Sequence, residues 1–149
     1  MAILSLKKYL SLIISLSIVI ANVLLDYFLA PTGLLLAPMI VAVASLVIAL
    51  DQQKIDLFYQ AMFTYLLIGL NDFGIKLYGG GIHDSEGQGW VNMIFIVGTV
   101  LCIIILICSA YNDKEASILK KIASVISFVL LAFIHLHFFD NLGLDRSYI

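Results

Sequence analysis

Apolar residues gather in five runs separated by short polar breaks. The runs are Tyr9 to Ala30, Leu34 to Leu50, Ile55 to Tyr78, Trp90 to Tyr111, and Ile122 to Phe139, the last with a helix reaching back to residue 118. Crossing about 30 Å of hydrocarbon takes roughly 20 helical residues, with about 17 as the lower limit. Runs one and four exceed that length, and runs two and five sit near the minimum. Run three reaches it only if the helix continues through Asn71 and Asp72. Each run is expected to be helical, because a span surrounded by lipid must satisfy its backbone within itself. Runs one and two are expected to form a tight helical hairpin. Pro31 disfavours helix at the residue before it, and Gly33 permits a turn. Pro38 is expected to kink the second helix or to lie in its first turns.

Composition decides what surrounds these helices. Hydrophobic residues make up 62% of the chain, charged residues only 12%, and mean hydropathy is +1.10. Soluble domains carry about 45–50% apolar and roughly 25% charged residues. A chain of 149 residues has too little interior to hide this much apolar side chain from water. The expected fold is therefore an all-α membrane protein, a single integral domain of five transmembrane helices spanning residues 9–30, 34–50, 55–78, 90–111 and 118–139. The bilayer is its first partner. Lys7 and Lys8 ahead of the first run resemble the start of a signal peptide. That run is longer than the usual stretch of about 7–15 residues and no A-x-A site ends it, so an uncleaved span is expected.

Charge sets the orientation. With five spans, one side receives Lys7, Lys8, Lys54, Lys114, Lys120 and Lys121, and the other only Lys76 and Arg146. This bias places the N-terminus in the cytoplasm and the C-terminus outside, with a bacterial inner membrane as the expected location. Tyr9, Tyr78, Trp90 and Tyr111 at the run ends suit the interface. A net charge of −2 and the lack of a basic run with interleaved aromatics exclude nucleic acid as a partner. Cys102 and Cys108 stand six residues apart in one run, about 9 Å along a helix, and read as small thiols rather than a disulfide or a CxxC site.

On this topology the ionisable residues concentrate toward the outer half. One candidate polar or ion site comprises Asp26, Asn71, Asp72, Lys76 and His135. Asp26 shares a face with Asn22. Asp72 and Lys76 are spaced for an ion pair, and Tyr65, Gly69, Asp72 and Lys76 form one helical stripe. These groups either line a cation or proton site or pin helices together.

A second candidate, for metal or partner binding on the outer face, comprises His83, Asp84, Glu86, His137 and Asp140. The stretch "YGGGIHDSEGQGW" reads as the largest outer loop. Imidazole and carboxylate suit zinc, and carboxylates also suit harder cations. There is no HExxH, EF-hand or Walker pattern to fix a metal or cofactor. His135 and His137 point about 200° apart on a helix, whereas His137 and Asp140 are spaced to meet.

Small residues pair at i,i+4 in Ser11/Ser15, Ser17/Ala21, Ser45/Ala49 and Ala123/Ser127, which favours close helix packing, a homo-oligomer, or docking onto other membrane proteins. Three functions fit these features. The foremost is a non-enzymatic subunit or accessory of a larger membrane assembly, with the outer loop and C-terminal tail facing the partner. The others are an oligomeric ion, proton or small-solute transporter subunit, and a metal-assisted membrane enzyme at the outer surface.

Overall fold

The computed structural model describes residues 9–51, 55–79 and 85–144. Among these residues lie five α-helices: α1 (Leu10–Phe28), α2 (Thr32–Ala49), α3 (Leu57–Tyr78), α4 (Ser85–Asn112) and α5 (Ile118–Phe139). The helices α1, α2, α4 and α5 are each long and apolar enough to cross a membrane. α3 has 22 residues, about 33 Å of rise, but Gln60, Asn71, Asp72 and Lys76 lower its hydropathy.

The central position of α3 accounts for that polarity. It packs against α1, α2, α4 and α5, whereas α5 leans mainly on α3 and α4. Twelve of its residues are buried, among them Gln60, Thr64, Asn71, Asp72 and Lys76. α3 touches all four other helices, while Tyr59, Leu66 and Leu70 stay exposed along one side of it. Its buried polar groups find partners that a lipid-facing helix would lack.

Side-chain bonds fix the helix ends. Asp56 caps α3 by accepting from the Phe58 amide at 3.0 Å, and Ser117 caps α5 by accepting from the Lys120 amide at 3.3 Å. The first turn of α2 is capped from another helix: Asp26 of α1 accepts the Leu34 amide at 2.8 Å. The expected hairpin is present. α1 ends at Phe28, and the intervening turn includes a cis Ala30–Pro31 bond. Pro38 lies inside α2.

Cross-helix bonds show the helices running alternately up and down. Ser11 near the start of α1 donates to Asp51 just past α2, and Lys120 at the start of α5 meets Asp56 at the start of α3. At the opposite end Asn22 joins Asn71, and Lys76 joins the end of α5.

Two glycines set how closely α1 can be approached. A Cβ on Gly33 would lie 2.5 Å from the Asn22 carbonyl oxygen and 2.7 Å from the Asp26 amide. One on Gly74 would collide with the Val23 side chain. Two of the small-residue pairs serve the interior: Ser15 donates to the Ala44 carbonyl at 2.8 Å, and Ser45 meets Thr64 at 3.3 Å.

The glycine-rich stretch differs from a simple loop. α4 begins at Ser85, well ahead of Trp90, so Glu86, Gly87, Gln88 and Gly89 are helical. Glu86 suits a helix N-terminus, where the backbone dipole favours an acid. Gln88 is buried against the end of α5, donating to the Asp140 and Leu142 carbonyls, a tertiary hold that offsets the poor helix propensity of its glycine neighbours.

Candidate functional site

The site begins with a spacing on α3. Asp72 and Lys76 lie one turn apart, and Lys76 Nζ comes within 2.8 Å of Asp72 Oδ2. From α5, His135 Nε2 reaches the same oxygen, also at 2.8 Å. Lys76 makes a further bond, donating to the Phe139 carbonyl at 2.8 Å. That carbonyl belongs to the last turn of α5 and also accepts from the Leu142 amide at 3.3 Å. One α3 lysine thus neutralises a carboxylate on its own helix and ties off the end of another.

The imidazole is enclosed by aromatic side chains. Phe95 of α4 stacks on it with centroids 4.7 Å apart and 11° between planes, and Phe73 lies tilted at 4.8 Å. Tyr65 hydroxyl approaches His135 Nδ1 at 3.5 Å. Facing a carboxylate, Nε2 must carry a hydrogen, which leaves Nδ1 of a neutral ring to accept from Tyr65. The stripe Tyr65, Gly69, Asp72, Lys76 is the face of α3 turned toward α5. A Cβ on Gly69 would lie 3.5 Å from the imidazole, an ordinary van der Waals contact, so this approach does not itself require a glycine. The arrangement is a polar line from Tyr65 through His135 and Asp72 to Lys76 that joins α3 to α5.

The second Asp72 oxygen differs. Oδ1 is buried without a hydrogen-bond partner among the described residues. Asp72 borders a cavity of about 10 Å³ together with Asn71, Leu34 and Pro38. A cavity near this size admits about one water-sized group. Pro38 has no amide hydrogen, so the Leu34 carbonyl lacks its usual helical donor.

Asn71 and Asp26 belong to neighbouring bonds rather than to this line. Asn22 donates to the Asn71 side-chain oxygen at 2.8 Å and to the Gly33 carbonyl at 3.0 Å, joining α1, α2 and α3. Asp26 is 2% exposed and caps α2.

The outer-face candidates are not drawn together in the same way. His83 and Asp84 lie outside the described residues. Glu86, His137 and Asp140 are exposed. His137 packs edge-on against Phe138, and no bond joins it to Asp140. The Asp140 backbone carbonyl accepts from Asn92 at 3.1 Å and from Gln88. Among the described residues no three His, Cys, Asp or Glu side chains gather closely enough to hold a metal.

Several participants carry little sequence signal. Phe73 and Phe95 read as ordinary apolar residues until α5 is docked. Gln88 is hidden by its glycine-rich surroundings. Gln60 on α3 accepts from Ser109 on α4 at 2.9 Å, a pairing foreshadowed only by a polar residue in each of two greasy runs. Comparison with protein-family models, with curated proteins and with solved structures yields no match for this chain.

Proposed function

We propose that the chain is a five-span membrane protein, α3 being the fifth span, with a cytoplasmic N-terminus and an extracytoplasmic C-terminus. It serves as a non-enzymatic subunit or accessory of a larger assembly in a bacterial inner membrane. One observation carries this reading: the Asp72 carboxylate is answered from inside the bundle by Lys76 and His135, so the buried charge is spent on joining α3 to α5. Support comes also from the outward positions of Ser17, Ala21 and Ala123, small exposed residues that let a neighbouring helix come close. The glycine-rich segment and C-terminal tail remain the proposed partner-facing parts. The test is purification of the tagged chain in mild detergent. A defined larger assembly is the expected result, and a clean monomer with no co-purifying protein would overturn the proposal.

A second reading, an oligomeric subunit moving protons, ions or small solutes, is favoured by one feature. Asp72 Oδ1 is an unpartnered acceptor on a residue that borders a cavity. Intramembrane carboxylates with spare acceptor capacity mark ion and proton routes in many membrane proteins. Proteoliposome flux that disappears in Asp72→Asn would move this reading ahead, and flux unchanged by that substitution would remove Asp72 from any route. The metal-assisted enzyme has no geometric support among the described residues.

A further inference from the structure

At the end of the bundle that holds Asp51 and Asn112, α2 and α4 flank a groove of about 460 Å³. Leu46 and Ile48 on α2 and Ile104 and Ile105 on α4 form its apolar walls, and Asp51, Ser109, Asn112 and Asp113 line it toward the helix ends. Gln60 of α3 lines it too and is only 3% exposed. The Gln60 oxygen is occupied by Ser109, but its Nε2 is buried with no hydrogen-bond partner among the described residues. A primary amide nitrogen carries two hydrogens and no acceptor capacity, so the groove presents donors only at this point. Leu46, Ile104 and Cys108 are exposed on the flank of two helices apolar enough to cross a membrane, so the groove opens toward lipid.

We propose that this groove holds one acyl chain of a bilayer glycerolipid, with the ester carbonyl at the head of that chain accepting a hydrogen bond from Gln60 Nε2. Three observations converge. The volume falls in the range of about 300–1,000 Å³ typical of small-molecule sites, and the lining is mostly apolar, with Asp51, Ser109, Asn112 and Asp113 beside Gln60 at the helix ends. Gln60 lies one turn inside the start of α3, the depth at which a lipid changes from hydrocarbon to its polar region. The missing partner must be an acceptor, and an ester carbonyl is an acceptor without charge. A helix from a second copy fits less well, because its backbone carbonyls are committed to its own ladder. The inference depends on the membrane setting of α2 and α4 and not on the proposed role in a larger assembly.

The test is native mass spectrometry of the delipidated, detergent-solubilised chain titrated with a diacyl phosphatidylglycerol or with its diether analogue. The analogue keeps the headgroup and chains but lacks the ester carbonyl. One ester lipid per chain is expected, with the ether lipid held roughly threefold to tenfold more weakly, the range one hydrogen bond supplies. Gln60→Met is expected to erase that difference, and Ser109→Ala, which leaves Nε2 in place, to preserve it. Ile105→Trp should fill the groove and abolish retention of both lipids. Bound ester lipid should also slow maleimide labelling of Cys108. Equal retention of ester and ether lipids by the unaltered chain, or undiminished retention by folded Ile105→Trp, would overturn the proposal. Crosslinking of two chains through Cys108 that excludes lipid would overturn it as well, in favour of a second copy as occupant.

Discussion

His135 Nε2 lies 2.8 Å from Asp72 Oδ2, with the two side chains 0% and 2% exposed, so α5 is docked onto α3 through a contact shielded from solvent. Lys76 shares the same carboxylate oxygen. The three residues behave as a unit, and removing one partner differs from removing a matched pair. Asp72→Ala leaves the Lys76 charge buried without its counter-ion and is expected to destabilise the fold by about 3–5 kcal/mol. The double replacement Asp72→Asn with Lys76→Met removes both charges and is expected to cost much less. Thermal unfolding in detergent, run as a double-mutant cycle, measures this. Additive losses from the two single changes would contradict it.

The two close approaches to α1 give unlike responses to the same substitution. Gly74→Ala is expected to cost about 1–3 kcal/mol, because the added methyl meets the Val23 side chain. Val23→Ala should recover much of that loss by vacating the space. Gly33→Ala meets backbone atoms of Asn22 and Asp26, so truncating an α1 side chain should give no comparable rescue. Unfolding midpoints of the single and double variants distinguish these outcomes.

Asp56 and Lys120 form an ion pair at the bundle end, partly open to solvent. The side-chain bond from Lys120 holds the Asp56 carboxyl below its usual range, outweighing the opposing effect of burial, with help from the Phe58 amide and the Lys120 charge. A folded-state value below the unfolded one means that the stabilisation is present above about pH 4 and lost as pH falls through the lowered value. Solvent screening limits the pair to less than about 1 kcal/mol, with further weakening in high salt. Lys120→Met should remove most of this acid-range dependence. Asp56→Asn should keep the α3 cap, whereas Asp56→Ala should lose about 0.5–2 kcal/mol with it. Unfolding curves from pH 2 to pH 6 at two salt concentrations read both effects.

Topology is open to a direct check at two serines. Ser85 starts α4 and Ser117 precedes α5, at opposite ends of α4. Single cysteines placed there, in a chain lacking Cys102 and Cys108, are expected to react with an impermeant maleimide from opposite sides of the membrane, Ser85→Cys from outside. Labelling of both from one side would contradict five crossings.

Four of the apolar helices were legible from run length alone, because lipid asks for nothing more than unbroken hydrophobicity. α3 was harder: its polar residues look like a helix end until the surrounding helices are in place. The Asp72–Lys76 spacing was visible, since it depends only on one helix turn. His135 stood out as an ionisable group in a greasy run, but nothing local tells that its ring enters between Phe73 and Phe95 to meet Asp72. The Asp26 bond to Leu34 was hidden for the same reason, being a cap supplied across a hairpin. The helical start of α4 was missed because glycines at 87 and 89 argue locally for a turn, while Gln88 is held by a segment far along the chain.

The position of His135 on the last helix has a consequence for biogenesis. During synthesis Asp72 and Lys76 leave the ribosome long before α5 exists, and α3 alone is a poor substrate for insertion into lipid. On the proposed five-span topology, its contact with His135 would form only once the final helix arrives. A chain cut short before residue 135 would leave the Asp72 carboxylate with Lys76 alone, so the last helix completes a contact that the third begins.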